Sequence, residues 1–168
     1  MLRGIGSPQD ADTMKHLILV GACYLDTILN VPRYPEEDAK LRATGVKVRR
    51  GGNCPNSLEV LQQLLGEREH LRLYLVSCLP DRASPAAERV LASFGADSKV
   101  DFRHCIYRQG HAEAASSYII RSHRSGSRTI VNYNDLPEMT ATEFARIVAS
   151  FGPDGDTWWH FEVRSTDT

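Results

Sequence analysis

The sequence has almost no net charge and no long hydrophobic run. Lys and Arg number 20 against 21 Asp and Glu, a formal charge of -1, so the composition gives no support for binding a polyanion such as a nucleic acid. The longest apolar run, residues 17–23, is far shorter than the roughly 20 residues that cross a bilayer, and no basic-then-apolar signal opens the chain. We therefore expect a cytoplasmic protein with neither a nucleic-acid nor a membrane partner.

Cysteine and histidine are too scattered for a metal site. The 4 cysteines include no CxxC pair, and the 6 histidines occur singly. Structural zinc sites need closely spaced pairs of such ligands. We expect no metal site and four reduced, mostly buried thiols: Cys23, Cys54, Cys78 and Cys105.

Hydrophobic patterning predicts strands of two kinds. Residues 17–23 form a continuous apolar run, which is typical of a parallel strand covered on both faces, and residues 71–78 read as another buried strand. We expect the first run to form a central strand. Residues 26–31 and 41–48 alternate apolar with polar side chains, as half-exposed strands do.

Three further segments have the 3.6-residue period of helices. The first begins at Asn53 and ends at Gly66, the second ends at Gly95, and the third is capped by Thr140 or Thr142. Their apolar stripes are Leu58, Leu61, Leu64 and Leu65 in the first, Ala86, Val90, Leu91 and Phe94 in the second, and Phe144, Ile147, Val148 and Phe151 in the third.

The second half of the chain adds a predicted hairpin and a last strand. Residues 114–123 and 128–133 read as two strands joined by a Gly-containing turn, and 158–161 as an apolar-aromatic strand. Strands that alternate with helices argue for an α/β fold with a mostly parallel central sheet, because parallel neighbours need a crossover connection.

The segment 50–57, Arg-Gly-Gly-Asn-Cys-Pro-Asn-Ser, is the most informative for function. Its glycines allow the backbone to approach a ligand closely. Asn53 and Asn56 then lie on one side of the first helical turn, where carboxamides can donate hydrogen bonds to the hydroxyls of a polyol and accept bonds from them. Taken alone, the same pattern also fits a plain turn and helix cap.

Two carboxylates have positions that suit the same pocket. Asp26 follows the first buried strand, at the edge where ligands of open α/β sheets bind. An unpaired charge at a strand end is costly, which favours a functional reading of Asp26. Asp38 lies in the next loop, where a solvated acidic turn is an equally simple reading.

Together these segments resemble the pfkB or ribokinase family of carbohydrate kinases, and within it most closely the ketohexokinases. The resemblance covers residues 15–164 and rests on 19–26, 34–38, 50–56, 126–131, 135–137 and 159–162. It implies a ribokinase-like fold, incomplete in this chain, with a central, mostly parallel sheet flanked by helices and a small β-sheet lid. Residues 1–14 are expected to form a disordered leader and 165–168 a divergent tail.

The resemblance also implies roles for individual residues. Asp26, Asp38, Gly52, Asn53 and Asn56 would bind the sugar hydroxyls, and Arg128 would lie near the sugar and the phosphate path. The lid strands, expected at 26–31, 41–48, 117–121 and 129–133, would cover the sugar and clasp a second subunit. ATP and Mg²⁺ are the implied co-substrate and cofactor. Glu162 receives no role, because the family pattern is lost at Val163.

The family's catalytic base and anion-binding loop lie on a Gly-Ala-Gly-Asp segment that this sequence lacks. The nearest match, Gly-Pro-Asp-Gly-Asp at 152–156, is a helix-ending turn with no helix after it. Two hypotheses follow. The chain is either the sugar-binding part of a ketohexose kinase, inactive alone, or a non-catalytic product that binds sugar or dimerises. A nucleoside kinase or another sugar kinase of the family is a competing interpretation.

Overall fold

The computed structural model describes residues 14–65, 70–152 and 156–162. Apart from Met14, the expected leader lies outside these residues, as do the tail at 165–168 and Gly66. The elements in chain order are β1 (Lys15–Val20), β2 (Tyr24–Val31), β3 (Gly45–Gly51), α1 (Asn53–Leu65), β4 (Leu71–Val76), β5 (Cys78–Leu79), α2 (Pro85–Ala92), β6 (Val100–Asp101), β7 (Ile106–Tyr107), β8 (Ser116–Ser122), β9 (Arg128–Tyr133), α3 (Ala141–Ala149) and β10 (Asp156–Phe161).

The main sheet has the strand order β10-β1-β4-β6, and all of its neighbours run parallel. Residues 17–20 of the apolar run lie in β1, which pairs with β4 on one side and β10 on the other, so the predicted central strand is confirmed, but it ends at Val20 and not at Cys23. The predicted strand at 71–78 ends earlier, at Val76. Cys78 instead begins β5, which pairs with β7 in a separate two-stranded sheet.

Helices cover both faces of the main sheet. Side chains of β1 and β4 alternate across it, so Leu19 and Leu75 join the core formed with α1 and α2. Ile18 and Tyr74 face the other way and pack with Ile147 of α3. This three-layer arrangement confirms the predicted α/β class.

A second, mixed sheet has the order β3-β2-β8-β9. The predicted hairpin is confirmed, since β8 and β9 pair antiparallel, with Arg121 opposite Arg128 next to the turn. The strand predicted at 41–48 is shifted and runs from Gly45 to Gly51. Antiparallel pairing with β2 explains the shift, because the ladder continues until Gly51 lies opposite Tyr24.

The helices follow the predicted pattern with two refinements. In α1, Leu58 is fully buried, whereas Leu64 is 73% exposed. At 100° per residue Leu64 lies well outside the stripe that contains Leu58 and Leu65. Thr140, not Thr142, caps α3, with Thr140 Oγ1 accepting from Glu143 N at 3.2 Å and Glu143 Oε2 accepting from Thr140 N at 2.8 Å.

All four cysteines are free, and each except the half-buried Cys78 is buried. Burial raises the pKa of Cys23 to about 12 and that of Cys54 to about 11. Across the described residues, no helix combines the length and the apolar character that a membrane crossing requires.

Candidate functional site

The junction between β3 and α1 passes directly against the loop that follows β1. Gly52 has a φ of +103°, and a Cβ atom there would collide with the carbonyl oxygen of Ala22. At the preceding residue, Gly51, a Cβ atom would lie 2.5 Å from Asp26 Oδ2. Only glycines fit this close approach, and it sets the Asp26 carboxylate beside the backbone that enters α1.

Asp26 does not follow β1, as the sequence suggested, but lies within β2. The first strand ends at Val20, so the chain has turned into the mixed sheet before Asp26. Asp26 lies opposite Arg49 in the β2–β3 ladder, and Arg49 Nε is 3.7 Å from Asp26 Oδ2. With 9% of its surface exposed, Asp26 is a buried carboxylate that faces the β3–α1 junction.

Asn53, the first residue of α1, connects this junction to the end of β10. Its Nδ2 donates to Glu162 Oε1 at 3.0 Å. Glu162 immediately follows β10, and its backbone N–H donates to Val20 O at 2.9 Å, which extends the pairing with β1. Sequence reasoning left Glu162 without a role, and the contact with Asn53 brings it into the site.

Asn56 lies one turn along α1 and is held by Arg50. Arg50 Nη1 donates to Asn56 Oδ1 at 3.3 Å, and the backbone N–H of Asn56 donates to Gly52 O at 3.1 Å. The side chain of Asn56 is exposed, like that of Asn53. Both asparagines therefore combine a fixed protein contact with access to solvent.

Arg50 is a residue of this site that sequence reasoning missed. Its side chain is only 3% exposed, and its guanidinium lies 4.0 Å from the centroid of the Phe94 ring. Nε donates to Ser93 Oγ at 2.9 Å, and Nη2 forms an ion pair with Glu59. An arginine directly before Gly-Gly was the available signal, but an alternating basic strand predicts an exposed side chain.

The structure does not join Asp38 and Arg128 to the other candidate residues by a described contact. Asp38 is exposed in the loop between β2 and β3 and has a φ of +58°. Arg128 is exposed at the start of β9, directly opposite Arg121, so two cationic side chains share one face of the hairpin. Their roles in sugar binding remain predictions.

A cavity of about 500 Å³ opens at the carboxyl ends of the parallel strands. Val20, Val76 and Phe161 end β1, β4 and β10, and all three line the cavity. Ligands of open α/β sheets bind at this edge. Glu162 also lines the cavity, which connects it through the Asn53 hydrogen bond to the start of α1.

Arg108 holds the wall of this cavity that is formed by the start of α3. Its Nε donates to Pro137 O at 2.9 Å, and its Nη2 donates to Glu138 O at 2.7 Å. Its Nη1 is 2.6 Å from Glu143 Oε1. Hydrogen bonds from Arg108 and from the backbone of Thr140 lower the pKa of Glu143 to about 2.

Comparison with known proteins links this architecture to sugar kinases. No protein-family model matches the sequence. Mouse ketohexokinase is 33% identical over 153 residues, which are 90% of this chain and 47% of the mouse protein.

Solved structures show the same fold. Ribokinase from Arabidopsis thaliana, complexed with ribose and ATP, matches 81% of this chain and 43% of its own length, with a TM-score of 0.63 and 17% identity. Phosphofructokinase-2 from Escherichia coli, in complex with fructose-6-phosphate, matches 89% of this chain and 45% of its own length, with a TM-score of 0.60 and 15% identity. The chain thus spans about half the length of these relatives. By sequence it is similar to ketohexokinase, and it shares the fold of ribokinase and phosphofructokinase-2.

Proposed function

We propose that this chain binds a ketohexose such as fructose and represents the sugar-binding part of an ATP-dependent carbohydrate kinase. The proposed ligands are Asp26, Asp38, Gly52, Asn53, Asn56 and Arg128. The observation that carries the proposal is the convergence of a buried carboxylate, a tight glycine turn and two exposed carboxamides at the β3–α1 junction. The homology to ketohexokinase favours a ketohexose as the sugar.

Each of these groups suits a polyol ligand. A carboxylate accepts hydrogen bonds from hydroxyls, while a carboxamide both accepts and donates. A backbone without side chains, as at Gly51 and Gly52, lets a sugar ring approach the main chain. In this role Asp26 would accept from a hydroxyl, and Asn53 and Asn56 would bind neighbouring hydroxyls.

The residues that the structure describes do not fit an ATP and magnesium site. Within the described ranges, no three His, Cys, Asp or Glu side chains come close enough to hold a metal ion. The sequence also contains no Gly-x-Gly-Asp segment with which to bind the phosphates. We therefore assign sugar binding to this chain and expect no phosphoryl transfer by the chain alone.

Sugar binding is tested by calorimetric titration with fructose, ribose and adenosine. We expect fructose to bind most tightly. Asn53→Ala should weaken fructose binding roughly fivefold or more, because a lost polar contact costs about 1–3 kcal/mol. Gln63→Ala is the matched control, since it removes an exposed carboxamide from the same helix away from the junction. Equal effects of the two substitutions would contradict the proposed pocket.

The absence of turnover has its own assay. The purified chain is incubated with fructose, ATP and Mg²⁺, and sugar phosphate is measured against a blank without protein. We expect no product above the blank. Measurable phosphorylation would show that the chain supplies its own base and phosphate site.

A homodimer formed through the mixed sheet is the second proposed property. Tyr118 and Val131 lie directly opposite each other on β8 and β9, and both are more than half exposed, at 52% and 60%. Val46, Val48 and Tyr133 are further exposed apolar side chains on the same face of the sheet, whereas Ile130 is exposed on the opposite face. Apolar exposure of this extent on one sheet is typical of an interaction surface.

The dimer is tested by sedimentation of matched lysine variants. Val131→Lys places a charge on the mixed sheet, whereas Val60→Lys places one on α1, where Val60 is 54% exposed. We expect Val131→Lys to shift the chain to monomers and Val60→Lys to leave the dimer intact. A parent chain that sediments as a monomer at high concentration would rule the dimer out.

A further inference from the structure

The two asparagines of the α1 entry are anchored by chemically opposite partners. Asn53 uses its Nδ2 to donate to the Glu162 carboxylate at 3.0 Å, whereas Asn56 uses its Oδ1 to accept from the Arg50 guanidinium at 3.3 Å. A carboxylate can only accept a hydrogen bond, and a guanidinium can only donate. The partner therefore fixes which end of each carboxamide turns inward.

The outward ends are consequently different. Asn53 presents its Oδ1, an acceptor, and Asn56 presents its Nδ2, a donor. Neither outward atom has a hydrogen-bond partner among the side chains and backbone of residues 14–65, 70–152 and 156–162. Residues three apart on a helix are neighbours, so the acceptor and the donor stand side by side.

We propose that Arg50 and Glu162 are positioning residues that set the polarity of sugar recognition. One hydroxyl of the ligand donates to Asn53 Oδ1, and an adjacent hydroxyl accepts from Asn56 Nδ2. The expected ligand class is a vicinal diol. The hydroxyl at Asn53 must donate its proton to Oδ1, so a ligand with a fluorine or an ether oxygen at that position should bind weakly. This inference rests on the proposed function and deepens it.

The two positioning residues are themselves held in place. Arg50 is buried and is restrained by Ser93, by Glu59 and by the Phe94 ring, so its guanidinium cannot turn away from Asn56. Glu162 is positioned through its backbone, because its N–H continues the β1–β10 pairing. Arg50 is thus restrained at its guanidinium and Glu162 at its main chain.

Replacing each asparagine by aspartate tests the proposed orientation of its carboxamide. Asn56→Asp keeps an inward oxygen for Arg50 but replaces the outward donor by an acceptor. Fructose can still bind by turning a hydroxyl proton towards that acceptor, whereas an analogue with fluorine in place of this hydroxyl cannot. The affinity of the fluorinated analogue should therefore fall roughly fivefold or more in Asn56→Asp, while stability to urea stays near that of the parent. Asn53→Asp alone places two carboxylates together and should also bind weakly. In the double variant with Glu162→Gln, the glutamine can donate to one oxygen of the aspartate at position 53. The second oxygen still faces outward as an acceptor. The double variant should therefore bind fructose to within about threefold of the parent affinity.

A ligand-free measurement checks the same polarity. In the parent chain, NMR should show slowed solvent exchange of the Asn53 side-chain NH₂, which is bonded to Glu162, and rapid exchange of the Asn56 NH₂. Glu162→Ala should speed exchange at Asn53 and leave Asn56 unchanged. The reverse pattern would overturn the inference, as would unchanged affinity of Asn56→Asp for the fluorinated analogue or a failed rescue by Glu162→Gln. A parent chain that binds no sugar would overturn the proposed function, while the exchange pattern would still decide the orientation of the carboxamides.

Discussion

Replacement of Gly52 by alanine tests whether the entry to α1 depends on a backbone conformation reserved for glycine. Gly52 has a φ of +103°, which L-residues rarely adopt, and an added Cβ atom would collide with the carbonyl oxygen of Ala22. Backbone atoms cannot rotate away as a side chain can. The substitution must therefore move either the loop after β1 or the start of α1.

Two terms contribute to the expected loss of stability. The unfavourable φ costs about 1–2 kcal/mol, and forcing an extra methyl group against the backbone costs about 1–3 kcal/mol more. Alanine also lowers the conformational entropy of the unfolded chain, which raises the free energy of unfolding by about 0.4–1 kcal/mol. The net loss of unfolding free energy for Gly52→Ala is thus about 1–5 kcal/mol.

Gly95→Ala is the control that separates these terms. Gly95 has a similar φ of +93°, but nothing lies within 4 Å of its added Cβ atom. Urea denaturation followed by circular dichroism should give a loss of about 1 kcal/mol for Gly95→Ala and a clearly larger loss for Gly52→Ala. Equal losses in the two variants would refute the close approach of the β3–α1 junction to Ala22.

Three further predictions concern Arg50, Glu143 and the thiols. Arg50→Met should lower the unfolding free energy by about 2–4 kcal/mol in urea denaturation. The loss is somewhat smaller than for a fully buried pair, because Glu59 is 45% exposed and can be hydrated. A loss below about 1 kcal/mol would contradict the contacts of Arg50 with Glu59, Ser93 and Asn56. Because Arg108 lowers the pKa of Glu143, this carboxylate stabilises the fold above its ordinary pKa, and that stabilisation is lost as the pH falls towards about 2. The stability gap between the parent and Glu143→Gln should therefore narrow between about pH 5 and pH 2, and a constant gap would be inconsistent with the ion pair. At pH 8 a thiol reagent should label Cys78 before the buried Cys23, whose pKa is raised to about 12; equal labelling rates would contradict the packing.

The main sheet and the α1 entry could be predicted from the sequence because their signals are local. A continuous apolar run identifies β1, since only a strand covered on both faces tolerates it. Two glycines before Asn53 mark the start of α1, because the turn needs a positive φ and a close backbone approach. Both features lie within a few residues of the pattern that reveals them.

The network beneath the site could not be predicted, because its partners are distant in sequence. Arg50 reads as one more basic residue of an exposed strand, yet Ser93, 43 residues later, accepts its hydrogen bond. Asp26 reads as following β1 because nothing local shows where β1 ends and β2 begins. Glu162 lies 109 residues from Asn53, and only the pairing of β10 with β1 brings the two together.

The central claim is that the β3–α1 junction binds a sugar, and NMR mapping of the isotope-labelled chain during a fructose titration tests it most directly. We expect the largest saturable shifts at the backbone amides of Gly52, Asn53 and Asn56, with little change along α2. Shifts that are absent at high fructose concentration, or that cluster away from the junction, would contradict the claim.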